Sequence, residues 1–249
     1  MTDYLRDIVT DFLTGKVDAF GFAPVGRFQG ALEGHHPAQV LPGARTVIVY
    51  GRAVPRGAFS SPGYSLHFLH RSYHTVYPYL DQVGFDLAGI VEEEGYLGVV
   101  IPGYAPLLFR EGMARGIISL KHAAVAAGIA SFGKSGLVYH PQHGSMLRFG
   151  AVITTAEPPA DPVLDYEPCG ESCRACWKAC PAGAFEDGIF QRQICTRKAI
   201  RHPIYRLTLK EEWGPDSMEL VANTAGYNYW IGCSECQKVC PANWPGRAD

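Results

Sequence analysis

Apolar positions in the first two-thirds of the chain follow two different periods. In MTDYLRDIVTDFLTGK (1–16), Tyr4, Leu5, Ile8, Val9 and Phe12 share one helical face with acidic residues between them, which predicts an amphipathic helix. RTVIVYGRAV (45–54) is rich in β-branched residues, follows LPG, and predicts a buried strand. FGFAPVGRF and HHPAQVLPG before it read as loop-rich, and SSPG (60–63) as another loop. In SYHTVYPYLDQVGFDLAGIVEEEGY, Tyr73, Val76, Tyr77, Leu80, Val83, Leu87, Ile90 and Val91 fit one stripe. They predict a helix that Pro78 and Gly84 can bend. Tyr73 and His74 lie at its start, either as a packed tyrosine and a capping histidine or as side chains free to leave the core.

SLKHAAVAAG (119–128) predicts a small-residue helix opened by Ser119 and closed by Gly128. Its alanines permit close approach of a neighbouring element or a flat ligand. SFGKSG, carrying Lys134, and HPQHGS are glycine-bearing turns, and MLRFGAVITT reads as a strand. SFGKSG has the spacing of neither a P-loop nor a dinucleotide-binding loop. His140 and His143 have no accompanying acids and read as surface residues rather than metal ligands. Together these elements predict an α+β domain.

The pattern then changes. All eight cysteines lie between positions 169 and 240. Two stretches rhyme, CRACWKACP (173–181) and CSECQKVCP (233–241), each C-x-x-C-x-x-x-C-P. A disulfide framework would spread its cysteines to staple the whole chain. Structural zinc closes with four thiolates and leaves the cysteine before each proline without a task. Two [4Fe–4S] clusters use all eight, and in two-cluster ferredoxins the cysteine before proline ligates the other cluster. On that spacing Cys169, Cys173, Cys176 and Cys240 hold one cluster, and Cys180, Cys195, Cys233 and Cys236 hold the other. The first motif is irregular: PCGESC separates Cys169 from Cys173 by three residues, and Gly170 gives that longer loop conformational freedom. A boundary near 160 follows, with an α+β domain over 1–160 and a cluster module over 161–249.

Composition narrows the class. Apolar residues make up 47%, charged residues 18%, and the formal net charge is −2. Such a chain buries a sizeable core and shows no charge field for nucleic acid or an anionic membrane. The N-terminus lacks the basic start and apolar run of a signal peptide, and no apolar run reaches membrane-spanning length. The expectation is a soluble cytoplasmic protein with no membrane partner and no nucleic-acid partner.

SYHTVYPYL, AAVAAGIASFGKSGLVYHPQHGS, FGAVITT and the paired cysteine motifs, in that order, resemble the epoxyqueuosine reductases and their wider kin, which include the reductive dehalogenases. The resemblance runs from about residue 15 to the end. It implies a nitroreductase-like N-terminal domain and a bacterial-ferredoxin-like double [4Fe–4S] module. It also implies a cobalamin, its lower base detached, to which the clusters pass single electrons. By motif position the cobalamin pocket would draw on Tyr73, His74, Gly133, Lys134, Gly144 and Ser145. A low-potential electron donor would feed the clusters, and a small substrate or another corrinoid protein would receive the product of reduction.

This sequence departs from the family in one respect that bears on chemistry. Epoxyqueuosine reductases carry a proton-donating aspartate in a V-D-x-x-P segment before the alanine helix. Here the stretch reads VVIPGYAPLLFREGMARGIISLKH, with no aspartate between Asp86 and Asp161. Tyr104 is the candidate catalytic residue in its place, with Glu111 as the other option. A further expectation is that the C-terminal helical repeats serving tRNA binding in many relatives, and an export signal of the dehalogenase kind, are absent. The expectation is a short member of the group that is not an epoxyqueuosine reductase. The alternatives are a ferredoxin-like electron carrier without cobalamin and an FMN-binding reductase.

Overall fold

Burial of apolar side chains places the first elements. A computed structural model describes residues 2–104, 108–110, 113–201 and 230–244. In chain order these form α1 (Thr2–Leu13), β1 (Ala19–Pro24), α2 (Pro37–Val40), β2 (Thr46–Ala53), α3 (Gly57–Ser60), α4 (Ser65–Glu93) and β3 (Gly98–Ile101). Next come β4 (Leu108–Arg110), β5 (Met113–Arg115), α5 (Leu120–Ala126), β6 (Ser131–Phe132), β7 (Val138–Tyr139) and β8 (Leu147–Thr154). The cysteine-bearing part holds α6 (Ala175–Lys178), β9 (Phe185–Glu186), β10 (Ile189–Phe190), α7 (Arg192–Ala199), β11 (Ile200–Arg201), β12 (Trp230–Ile231) and α8 (Glu235–Lys238). None of the described helices is long and apolar enough to cross a membrane.

The described residues group into two compact units. The first takes Met1–Val54, Thr75–Gly133 and Leu137–Gly170, and the second takes Pro55–His74, Lys134–Gly136 and Glu171–Asp249. The first is built on an antiparallel sheet in the order β1-β2-β8-β3. The first six residues of β2 are all buried. Both faces of that strand are covered, so it reads as a continuous apolar run instead of alternating. Helix α5 lies on the sheet with Ala123, Ala124, Ala126 and Ala127 buried. A Cβ on Gly21 of β1 would come within 2.3 Å of the Ala127 carbonyl oxygen. The alanines therefore serve close helix–sheet packing.

Three sequence expectations shift here. The buried line of α1 is Leu5, Val9 and Leu13, one residue per turn, and Tyr4 is 60% exposed. β1 occupies part of the stretch read as loop-rich. Its Gly21 is the close approach to α5, and its Pro24 ends an edge strand, where a missing N–H costs no ladder bond. α4 begins at Ser65, so Tyr73 and His74 lie in its third turn and not at its start. Its stripe is otherwise as expected, with Leu80, Leu87 and Val91 fully buried and Pro78 on the exposed side.

Candidate iron–sulfur centre

The sequence rhyme is also a rhyme of backbone. In each motif a short helix spans the middle cysteine, α6 around Cys176 and α8 around Cys236. The residue before α6, Arg174, has φ −136° and ψ 17°, and the residue before α8, Ser234, has φ −144° and ψ 16°. Lys178 donates its backbone N–H to Arg174 at 3.1 Å, and Lys238 donates to Ser234 at 3.1 Å. Each helix is capped by the residue before a Cys-Pro pair, Ala179 and Val239, and the proline cannot donate to continue the turn. After the prolines, Gly183 donates to the Cys180 carbonyl and Asn243 to the Cys240 carbonyl. The two helices pack on each other within the second unit.

All eight cysteines are free thiols. Cys176 and Cys240 are buried and the other six half-buried. Burial, followed by the charges of Cys195, Cys233, Cys176 and Cys180, pushes the Cys236 thiol up to about 12. Thiols gathered this closely resist ionising together unless a cation shares the site, and a metal cluster supplies that charge. Among the described residues no three His, Cys, Asp or Glu side chains converge as they would on a single metal ion. Thiolate sulfur is the donor chemistry that a [4Fe–4S] cluster requires. Cys195 enters this group from α7, a helix with no buried residue of its own. The Ala184 backbone N–H donates to Cys180 Sγ at 3.4 Å, a contact of the kind that tunes cluster potential.

The surrounding loop is held by named contacts. Lys134 Nζ donates to the Glu171 carbonyl at 2.6 Å and to the Cys173 carbonyl at 3.4 Å. Arg174 Nη1 donates to the same two carbonyls at 2.6 and 2.9 Å and stacks its guanidinium over Trp177. The β9–β10 hairpin closes through Asp187 and Gly188, both at positive φ. That is the Asp-Gly turn that two-residue hairpins favour.

The residues that motif position assigned to a cobalamin pocket fall in both units. In the second, Tyr73 is buried and donates through its hydroxyl to Gln237 Oε1 at 3.3 Å. His74 packs edge-on against His70 at 4.3 Å between ring centroids, and His70 in turn meets Trp230 at 4.5 Å. Lys134 holds the cysteine loop as above. In the first, a Cβ on Gly133 would meet the Tyr139 ring at 2.4 Å and Cys169 Sγ at 3.3 Å, so this glycine serves internal packing. Gly144, at φ +54°, bridges to His140, and Ser145 is buried. Tyr73 and Lys134 thus each bond to a protein group, and Gly133 packs on the Tyr139 ring. Tyr104 is half-buried, 6.0 Å from the Tyr77 ring. Glu111 lies outside the described residues.

His140 accepts the backbone N–H groups of Gln142 and His143 at Nδ1, at 3.1 and 3.3 Å, which leaves its ring proton on Nε2. Burial lowers its pKa, and the neighbouring His143 lowers it further. It lines a cavity of about 390 Å³ in the first unit with Thr14, Asp18, Phe20 and Ile129.

Comparison with known proteins agrees with this centre. Residues 168–243 match the 4Fe-4S double cluster binding domain. An epoxyqueuosine reductase from Gloeobacter violaceus is 30% identical over 211 residues, which are 82% of this chain and 58% of that protein. The chain is a relative of the epoxyqueuosine reductases. The Staphylococcus aureus epoxyqueuosine reductase is 25% identical across 96% of this chain and 64% of its own length. The match thus spans about three-fifths of these curated relatives. Among solved structures, a selenomethionine-labelled epoxyqueuosine reductase superposes with a TM-score of 0.60 at 21% identity, covering 100% of this chain and 68% of that one. A catabolic reductive dehalogenase superposes with a TM-score of 0.62 at 14% identity, covering 100% of this chain and 33% of that one. Another solved epoxyqueuosine reductase carries a tRNA stem loop. These likenesses give a mixed α/β fold with a double-cluster domain.

Proposed function

We propose that this chain is an iron–sulfur redox protein that passes electrons one at a time through two [4Fe–4S] clusters to a cobalamin. The observation that carries the cluster half is the gathering of Cys195, Cys233, Cys176 and Cys180 about Cys236. Cys180, Cys195, Cys233 and Cys236 would hold one cluster, and Cys169, Cys173, Cys176 and Cys240 would hold the other. Such clusters supply single-electron transfer at low potential. The protein's part is to gather the thiolates, to cap Cys180 with the Ala184 N–H, and to fix the Glu171–Cys173 loop through Lys134 and Arg174. The cobalamin half rests on the similar proteins, among them a reductive dehalogenase described as acting by B12-dependent dehalogenation. A reduced cobalamin supplies a strongly nucleophilic cobalt. The first unit would then be the nitroreductase-like domain, with Tyr104 as the proton donor in the segment where the family's aspartate is missing.

A second reading has one observation in its favour. Tyr73 and Lys134 spend their polar groups on Gln237 and on the cysteine loop. That suits a ferredoxin-like carrier whose first unit docks a partner. Cys195→Ala tests the ligand set: iron should fall from about eight atoms per chain to about four, and an unchanged count rejects the assignment. Anaerobic titration with cob(II)alamin separates the two readings, because only the first requires binding.

A further inference from the structure

One polar group in the core of the first unit lacks a partner. Tyr50 lies in β2 opposite Gly150 of β8 and is fully buried. Its ring covers Gly150, and its hydroxyl reaches α4 at Gly84, where a Cβ would stand only 2.2 Å away. Within the described residues that hydroxyl has no hydrogen-bond partner. A buried unsatisfied hydroxyl is costly and calls for an explanation.

One turn before Gly84 on α4 stands Asp81. It is half-buried and accepts the Gly103 backbone N–H at Oδ1, at 2.9 Å. Gly103 follows β3 and seats its bare backbone on α4. A Cβ there would meet the Tyr77 ring at 2.4 Å and the Phe149 carbonyl oxygen at 3.0 Å. Tyr77, Asp81 and Gly84 are spaced i, i+4 and i+7, so one stripe of α4 receives both the Tyr50 hydroxyl and the loop. The next residue of that loop is Tyr104, its ring tilted 35° against Tyr77. The titratable groups around this bond are Tyr50 from β2, Tyr77 from α4 itself and Tyr104 from the loop. From β8 come only Phe149 and Gly150, and from β3 comes Val100.

We propose that Asp81 is a positioning residue that pins the Pro102–Tyr104 segment to α4 through the Gly103 N–H. Burial raises the Asp81 carboxyl above its usual range despite the Gly103 bond, and the Asp81 charge in turn raises the Tyr50 phenol. The importance of Tyr104 rests on the functional reading above; its placement by Asp81 does not.

Amide hydrogen exchange at Gly103, followed in the cluster-loaded full chain, tests this. Asp81→Ala removes the acceptor and should speed exchange about tenfold, the factor expected for one hydrogen bond. Asp81→Asn keeps an acceptor oxygen and should return exchange to near the wild-type rate. Unchanged exchange in Asp81→Ala, or exchange in Asp81→Asn as fast as in Asp81→Ala, overturns the positioning role. If exchange responds as expected while cob(II)alamin does not bind, the cobalamin reading fails and the positioning of the loop stands.

Discussion

The two units hold themselves together by different means. In the first, six successive residues of β2 are buried between covering layers, and α5 lies close enough on the sheet to exclude a methyl group from Gly21. In the second, α7 buries nothing, α6 buries Cys176, and α8 buries Gln237. Apolar burial of about 25 cal/mol per Å² sustains the first unit. Among the described residues, the second has short helices that carry free thiols beside a smaller apolar set that includes Phe59, Leu69, Trp230 and Ile231. Its order is coupled to the metal that the thiols bind. The lesson is that a cysteine module of this type is a binding site that folds, and the sheet unit is a fold that stands without one.

The largest effect that would sharpen this contrast is iron removal. Chelation under reducing conditions should strip amide protection from α6 and α8 while β2 and β8 keep theirs. Equal loss in both units would break the distinction. Next comes a core substitution on the other side. Ile48→Ala, at a fully buried position, should cost about 3 kcal/mol, measured by denaturant unfolding, and leave iron content untouched.

Smaller effects probe the loop and the buried acid. Lys134→Ala deletes the two bonds to the Glu171 and Cys173 carbonyls. For a partly exposed lysine this is worth about 1 kcal/mol, so chelator-driven iron release should quicken roughly fivefold at unchanged initial loading. An unchanged release rate would mean that the loop does not depend on Lys134. The smallest concerns pH. The Asp81 carboxyl sits above its usual range because burial outweighs the Gly103 bond. The folded protein then holds that proton more tightly than the unfolded chain, and ionising it costs stability. The cost is absent below the ordinary carboxyl pKa and complete above the raised one. Asp81→Asn carries no charge, so its Tm should gain on wild type as pH rises through that window and match it in acid. A Tm difference that ignores pH would contradict the sign.

Much of this was legible in the sequence, for physical reasons that also mark the gaps. The β2 run, the α4 stripe, the alanine helix closed by Gly128 at φ +70° and the doubled cysteine spacing are dense local signals. β1 was hidden because Gly21 and Pro24 are there for a neighbour and an edge, and both count against a strand when read locally. Residues 55–74 and 134–136 belong to the second unit through contacts far along the chain, which no periodicity encodes. Asp81 was passed over because a single carboxylate in an apolar stripe looks like its solvated end. Only the fold puts Gly103 and Tyr50 beside it. The role of Lys134 in bracing the cysteine loop was likewise beyond a glycine-loop motif.

The central claim is that two clusters feed a cobalamin bound to this chain. Its most direct test is anaerobic titration of fully reconstituted protein with cob(II)alamin, read by iron and sulfide analysis and electron paramagnetic resonance. The account predicts about eight irons and eight sulfides per chain and a cobalt signal that changes to the base-off form on binding. Two intact clusters with a cobalt signal identical to that of free cob(II)alamin would contradict it and leave an electron carrier in its place.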